Sequence, residues 1–194
     1  MDRLYEKNYL ELVESLPQFE EYYFWSQLKK RRIILNSEVN DSLVERVIMQ
    51  IIEWNEEDAD KPIEERKIIE IVLNSPGGDV YLGLVLCSVI EKSITPILAA
   101  SMGASILASA AKHKMRYAYE TSNVLIHDGS TALMGTSNKV KDHMRFQEEK
   151  DRQVKDIILR NSKITEEKYD NMIDREWWIT AKDALELGMI DYII

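Results

Sequence analysis

Three apolar runs in the first half of the chain each end in turn-forming or small residues that open a helical pattern, and that order admits few folds. Residues 32–35 run apolar and are followed by Asn40-Asp41, which starts a helix with Leu43, Val44, Val47, Ile48, Ile51 and Ile52 on one face. Residues 68–73 read as a buried strand that breaks at Asn74-Ser75-Pro76-Gly77-Gly78, and Asp79 leads into a second helix reaching about residue 92. Residues 94–100 return as a strand, followed by a helix of small residues over 103–111. Two further strands are expected at 115–119 and 123–126, the last ending at His127. Such β-α-β-α-β alternation predicts an α/β fold with a mostly parallel sheet flanked by helices. The loops at the carboxyl ends of the strands then form the crevice where chemistry takes place.

The ends of the chain read differently. Residues 1–31, rich in Leu, Tyr, Glu and Lys and broken by Pro17, are expected to form two short amphipathic helices as an N-terminal extension to a single domain over 32–194. After a polar stretch, a long charged helix from Ser137 to about residue 160 carries only a thin apolar stripe of Val140, Met144, Val154, Ile157 and Ile158. A helix of that kind packs against another subunit. The tail holds two helix-start signals, Thr165 before Glu166-Glu167 and the capping box Thr180-x-x-Asp183, and Gly188 closes the last helix.

Composition removes several function classes. The 194 residues are 45% hydrophobic and 30% charged, as in one soluble globular domain, and 25 basic against 34 acidic side chains leave a charge of −9. That balance argues against nucleic acid as a partner, and Lys29-Lys30-Arg31-Arg32 reads as the basic end of a helix. The single cysteine, Cys87, excludes an internal disulfide framework and a cysteine zinc cluster, so no metal or cofactor is expected. No apolar run approaches the roughly 18 residues that span a bilayer, and the first residues lack the apolar core of a secretory signal, which makes the cytoplasm the expected compartment.

Ser101 stands where the strand over 94–100 gives way to a helix, among Ala99, Ala100, Gly103 and Ala104, whose small side chains let a substrate backbone approach. It reads two ways, as a nucleophile on a sharp turn or as the N-cap of a tightly packed helix. Among the histidines, His113 lies between lysines and His143 on the charged helix, both solvated positions, whereas His127 ends an apolar strand. An imidazole there is expected at the carboxyl edge of the sheet, near Ser101. Gly77-Gly78 reads either as a turn or as part of an oxyanion cradle. In the second reading the backbone N–H groups of Gly78 and Met102 face a carbonyl oxygen as it turns negative, with glycine required because a side chain would collide with substrate.

Four motifs then occur in one order: Asn74-Ser75-Pro76-Gly77-Gly78-Asp79, Ala99-Ala100-Ser101-Met102-Gly103-Ala104, Asn123-Val124-Leu125-Ile126-His127, and Asp174-Arg175-Glu176 with Ala181 and Gly188-Met189-Ile190-Asp191. Over about residues 24–194 the sequence resembles the ClpP family, the proteolytic subunits of ATP-dependent Clp protease. The resemblance implies a ClpP/crotonase-like fold of stacked βαβ units with a protruding handle helix, placed at about 128–160. It implies Ser101 as nucleophile, His127 as general base, and Gly78 and Met102 as oxyanion-hole amides. Glu176 would be the third triad member, with Asp174 as the alternative. It further implies a polypeptide substrate, a homo-oligomer of two stacked heptameric rings, and a partner AAA+ unfoldase that spends the ATP. The absence of a Walker A glycine loop agrees with that division of labour.

Some positions depart from the family pattern. Glu176 stands where the family normally has aspartate, and the segment before Ser101 is shorter and contains Pro96. After His127 the family usually has Gln-Pro and a glycine-rich strand, whereas this chain has Asp128-Gly129-Ser130. Residues 1–23 do not resemble the family's axial segment. The expected function is a serine endopeptidase subunit, with a catalytically weak or silent ring subunit as the alternative. An acyl-CoA enzyme of the crotonase type shares the fold, but the joint placement of Ser101 and His127 speaks against it.

Overall fold

The computed structural model describes residues 19–42, 44–100, 110, 112 and 114–194. Ser101, Met102 and the first expected N-terminal helix therefore lie outside the described residues, as does all of the expected helix over 103–111 except Ala110. Five strands form a parallel sheet in the order β1 (Arg32–Leu35), β2 (Ile69–Leu73), β3 (Ile97–Ala100), β4 (Arg116–Ala118) and β7 (Tyr192–Ile193). Two more, β5 (Asn123–Ile126) and β6 (Trp177–Thr180), pair antiparallel as a separate ribbon.

The expected alternation is present, but the sheet is buried on alternate residues. Ile33, Leu35, Ile69, Ile71, Leu73, Ile97 and Ala99 are buried, while Arg32, Ile34, Glu70, Val72 and Leu98 between them stay half-exposed. One face therefore drives the core, and the other is polar enough to hold a network. There Arg32 Nε donates to Glu70 at 2.6 Å, the Tyr117 hydroxyl donates to the same carboxylate at 3.1 Å, and Tyr117 stacks on Tyr192.

Helix α1 spans Phe19–Leu28, and α2 is a π-helical turn over Val44–Ile48 that continues as an α-helix through Met49–Glu57. The buried stripe of α2 runs Val47, Ile48, Ile51, Trp54, so the expected face is turned to include Trp54 and leaves Ile52 exposed. Helix α3 (Val80–Lys92) starts at Asp79, whose side chain accepts from the Leu82 N–H, and buries Leu84, Leu86, Cys87 and Ile90. Helix α4 (Ser137–Arg160) matches the expected long helix, with Ile157 and Ile158 buried at its far end. Helices α5 (Glu166–Met172) and α6 (Ala181–Glu186) begin at Thr165 and Thr180 as expected, each threonine accepting a backbone N–H. Gly188, at φ +67°, ends the last helix.

Three readings are corrected. The strand over 94–100 shortens to Ile97–Ala100, because the Asn55 side chain accepts from the N–H groups of Ile94 and Thr95 and holds them in a turn. Pro96 serves at the strand's threshold, where its carbonyl accepts from Ile69 and no donor is missed. The basic run only begins at a helix end, where the Lys29 N–H closes the last turn of α1 on the Trp25 carbonyl, and its two arginines take other roles. Arg31, in the left-handed region at φ +57°, turns inward instead to the buried carboxylate of Asp58. Finally, β5 does not extend the main sheet. Only four residues link β4 to β5, too few for a parallel crossover, and the open side of β4 is taken by β7.

The tail is tied back by Arg116 on β4. Its guanidinium donates to Asp191 on both oxygens and to the carbonyls of Asn161 and Gly188 at 2.9 Å each, which anchors β7 beside β4. No helix among the described residues is long and apolar enough to cross a membrane.

Candidate active site

Strand β2 ends at Leu73 and β3 at Ala100, and the pairing of Val72 with Ala100 sets both carboxyl ends at one level of the sheet. The loop that leaves β2 is shaped by glycine. Gly77 and Gly78 adopt φ +107° and +137°, and Gly78 pairs with Val39 in an isolated parallel bridge. The Val39 N–H donates to the Gly77 carbonyl and the Asp79 N–H to the Val39 carbonyl, both at 2.8 Å. A Cβ on Gly78 would lie 2.5 Å from the Val39 oxygen and 2.6 Å from its nitrogen. Glycine is therefore demanded by the chain's own backbone, a different reason from the substrate clearance inferred from sequence. Those bonds leave the Gly78 N–H without a hydrogen bond among the described residues, as an oxyanion donor requires.

His127 follows β5 directly, so it belongs to the ribbon and not to the main sheet's edge. The ladder pairs Ile126 with Trp177 and ends there, and continuing its register by one step would set His127 opposite Glu176. Residues facing each other across an antiparallel pair project to one side of it. Two residues far apart in sequence thus flank the end of one ladder, which composition and spacing did not reveal. A signal was present in Trp177-Trp178-Ile179-Thr180, whose alternation matches a half-buried strand: Trp177 and Ile179 are buried, Trp178 and Thr180 exposed.

Each side chain has its own near partner. Nδ1 of His127 accepts from the Gly129 N–H at 3.1 Å, so Nδ1 is the nitrogen without a hydrogen here. Oε2 of Glu176 accepts from the Trp178 indole N–H at 3.2 Å. Both residues are exposed. Asp174, the alternative third member, is exposed and lies 3.5 Å from the Arg175 guanidinium beside it. Ser101 and Met102 lie outside the described residues, so Gly78, His127 and Glu176 are the candidates whose geometry can be stated.

Other polar features are accounted for internally. A cleft of about 600 Å³ lined by Lys112, Arg116, Arg160, Lys163 and Asp191 holds none of the candidates, and two of its cations are taken up by Asp191 and Glu91. Among the described residues no cluster of His, Cys, Asp or Glu is arranged to hold a metal ion.

The sequence model of the Clp protease family matches residues 18–194. ATP-dependent Clp protease proteolytic subunit 2 of Treponema denticola is 29% identical over 171 residues, covering 86% of this chain and 82% of that protein. Proteolytic subunit 3 of a Synechococcus species is 32% identical over 175 residues, covering 85% and 82%. Proteolytic subunit 2 of Treponema pallidum is 29% identical over 181 residues, covering 90% and 87%. A match that takes in both the Gly78 loop and the His127–Glu176 ribbon leaves one conclusion, that the chain belongs to the Clp protease family of serine peptidases.

Proposed function

We propose that this chain is the peptidase subunit of a self-compartmentalised ring protease that cleaves unfolded polypeptides and short peptides through an acyl-enzyme. Ser101 is the nucleophile, His127 the general base and Glu176 the carboxylate that orients it, with the N–H groups of Gly78 and Met102 as the oxyanion hole. The reading is supported above all by the β5–β6 ladder, which ends at Ile126 and Trp177 with His127 and Glu176 as the next residue on each chain segment, although 48 residues lie between the two in sequence.

The chemistry follows the Ser-His-acid pattern. The Ser101 oxygen attacks the scissile carbonyl as Nε2 of His127 takes its proton, and the carbonyl electrons move onto oxygen opposite the two N–H groups. Collapse expels the amine, which leaves with the proton from His127. Water then attacks the ester with the same imidazole as base and releases the acid and free Ser101. For Nε2 to act as base, Nδ1 must carry the hydrogen, so His127 has to give up the Gly129 N–H and donate to Glu176.

The assembly we propose is a pair of stacked heptameric rings in the cytoplasm, fed by an AAA+ ATPase. Helix α4 supports the ring contact by its length and thin apolar stripe, which buries only Ile157 and Ile158 at one end. Hydrolysis of an unstructured fluorescent peptide and of casein by the purified oligomer, without an ATPase, is the test. Ser101→Ala is expected to lower turnover by about a thousandfold or more.

One observation favours a second reading, a silent ring subunit. In the described state His127 and Glu176 are each bonded two residues along their own strand rather than to each other. A well-formed oligomer that neither cuts peptide nor takes a fluorophosphonate label at Ser101 would establish that reading and overturn the first.

A further inference from the structure

Glutamate in place of aspartate adds a rotatable bond between the backbone and the carboxylate that must orient His127, and Glu176 is exposed, so nothing in its packing fixes that bond. A hydrogen bond does. Residues 176 and 178 lie on the same face of the ribbon, because Trp177 and Ile179 between and beyond them are buried on the other. The Trp178 indole N–H reaches Oε2 of Glu176 at 3.2 Å. An indole is a rigid donor with two side-chain torsions and no acceptor, so it holds the oxygen without competing for protons. The bond occupies one oxygen only. Oε1 has no hydrogen-bond partner among the described residues, and His127 is the residue that one further step of the ladder would set opposite.

From this geometry we infer that Trp178 is a positioning residue for the reaction: its indole N–H fixes the Glu176 carboxylate by Oε2 and leaves Oε1 to accept from Nδ1–H of His127. The inference rests on the triad given above. It assigns Trp178 a role that an apolar residue at the same place would not fill, and it explains how the longer acid is kept in use. The effect of Trp178 runs through Glu176 alone.

The test is a double-mutant cycle on the full-length oligomer, read by steady-state hydrolysis of the fluorescent peptide. Trp178→Phe keeps the ring and removes the N–H. It is expected to lower kcat about fivefold, with KM and the thermal midpoint unchanged. In a Glu176→Asp background the shorter carboxylate no longer reaches the indole, and Trp178→Phe is expected to change kcat no further. An unchanged kcat in the single variant, or an equal fall in both backgrounds, overturns the role of Trp178. Glu176→Ala separates this from failure of the triad. If kcat survives that substitution, the triad reading itself is wrong, whereas a fall in Glu176→Ala with a silent Trp178→Phe removes only the positioning role. A chain without any hydrolysis overturns both.

Discussion

Asp58 and Glu176 are both carboxylates at the end of a secondary-structure element, and their surroundings are opposites. Asp58 caps the end of α2 and is fully buried. Its oxygens accept from the Arg31 guanidinium, from Lys61 at 2.7 Å and from the Thr95 hydroxyl at 2.9 Å. Arg31 also reaches Glu57 at 2.7 Å and the Lys67 carbonyl at 3.1 Å, and its guanidinium lies 5.7 Å from the Trp54 ring centre. Glu176 is exposed and has one hydrogen bond among the described residues, to a residue two positions away. The first carboxylate is held by groups from three separate segments, so its place is over-determined. The second is held by its own strand. A site built in that way is free to take new partners, which the base and acid proposed above require.

The widest gap between the two regions should open on removing Asp58. Asp58→Ala leaves Arg31 buried without its main partner and is expected to destabilise the fold by about 3–5 kcal/mol, read as a fall in the urea midpoint. An effect below about 1 kcal/mol would mean that the cluster is no firmer than the ribbon. The same contrast has a pH signature. The Arg31 guanidinium holds the Asp58 carboxyl far below the ordinary carboxylate range, and Lys61 and Thr95 add to it against the opposing effect of burial. A carboxyl lowered by folding contributes stability that is complete above its unfolded value, about 3.9, and is lost as the pH falls below that. Stability followed by denaturation at successively lower pH should fall through that acidic range in the wild type. The fall should be shallower in Asp58→Asn.

A smaller effect is expected where the open site borrows rigidity from backbone. Gly78→Ala keeps the N–H but drives a Cβ into Val39, so the loop must move away from its bridge. If Gly78 is the proposed oxyanion donor, a shift of about 1 Å costs about a hundredfold in turnover, and peptide hydrolysis should fall by that order while the oligomer survives. Smallest of all is an ion pair without burial. Arg160 and Glu91 meet at 2.6 Å, yet Arg160 is half-exposed, so Arg160→Met should change stability by only about 0.5 kcal/mol. Set beside Asp58→Ala, that value isolates what burial contributes.

Local signals carried much of this fold into view, and the missing parts share one cause. Asp79, Thr165, Thr180 and Gly188 act within a few residues of themselves, and each stands where its side chain or backbone freedom predicts. What stayed hidden depends on residues distant in sequence. Arg31 reads as part of a surface run until Asp58, 27 positions on, draws it inward. Strand β7 is two residues long and exists because Arg116 clamps Asp191. The ribbon escaped for the same reason, since nothing in the segment at 123–126 says that its partner lies at 177–180. At the site, the motifs pointed to His127 and Gly78, but the reason for glycine came from Val39 and the role of Trp178 from the pairing.

The ribbon also limits how this chain can change over time. Strand pairing has a period of two, so a single inserted or deleted residue in β5 or β6 would turn every later side chain to the opposite face. Trp177 and Ile179 would leave the core as Trp178 entered it, and the side chains of His127 and Glu176 beyond the ladder's end would turn with them. Substitutions along the strip can be sampled one at a time, as Glu176 and Trp178 illustrate. Changes of length there cannot, and descendants of this sequence should vary in the residues of the ribbon while keeping the count of residues within each of its strands.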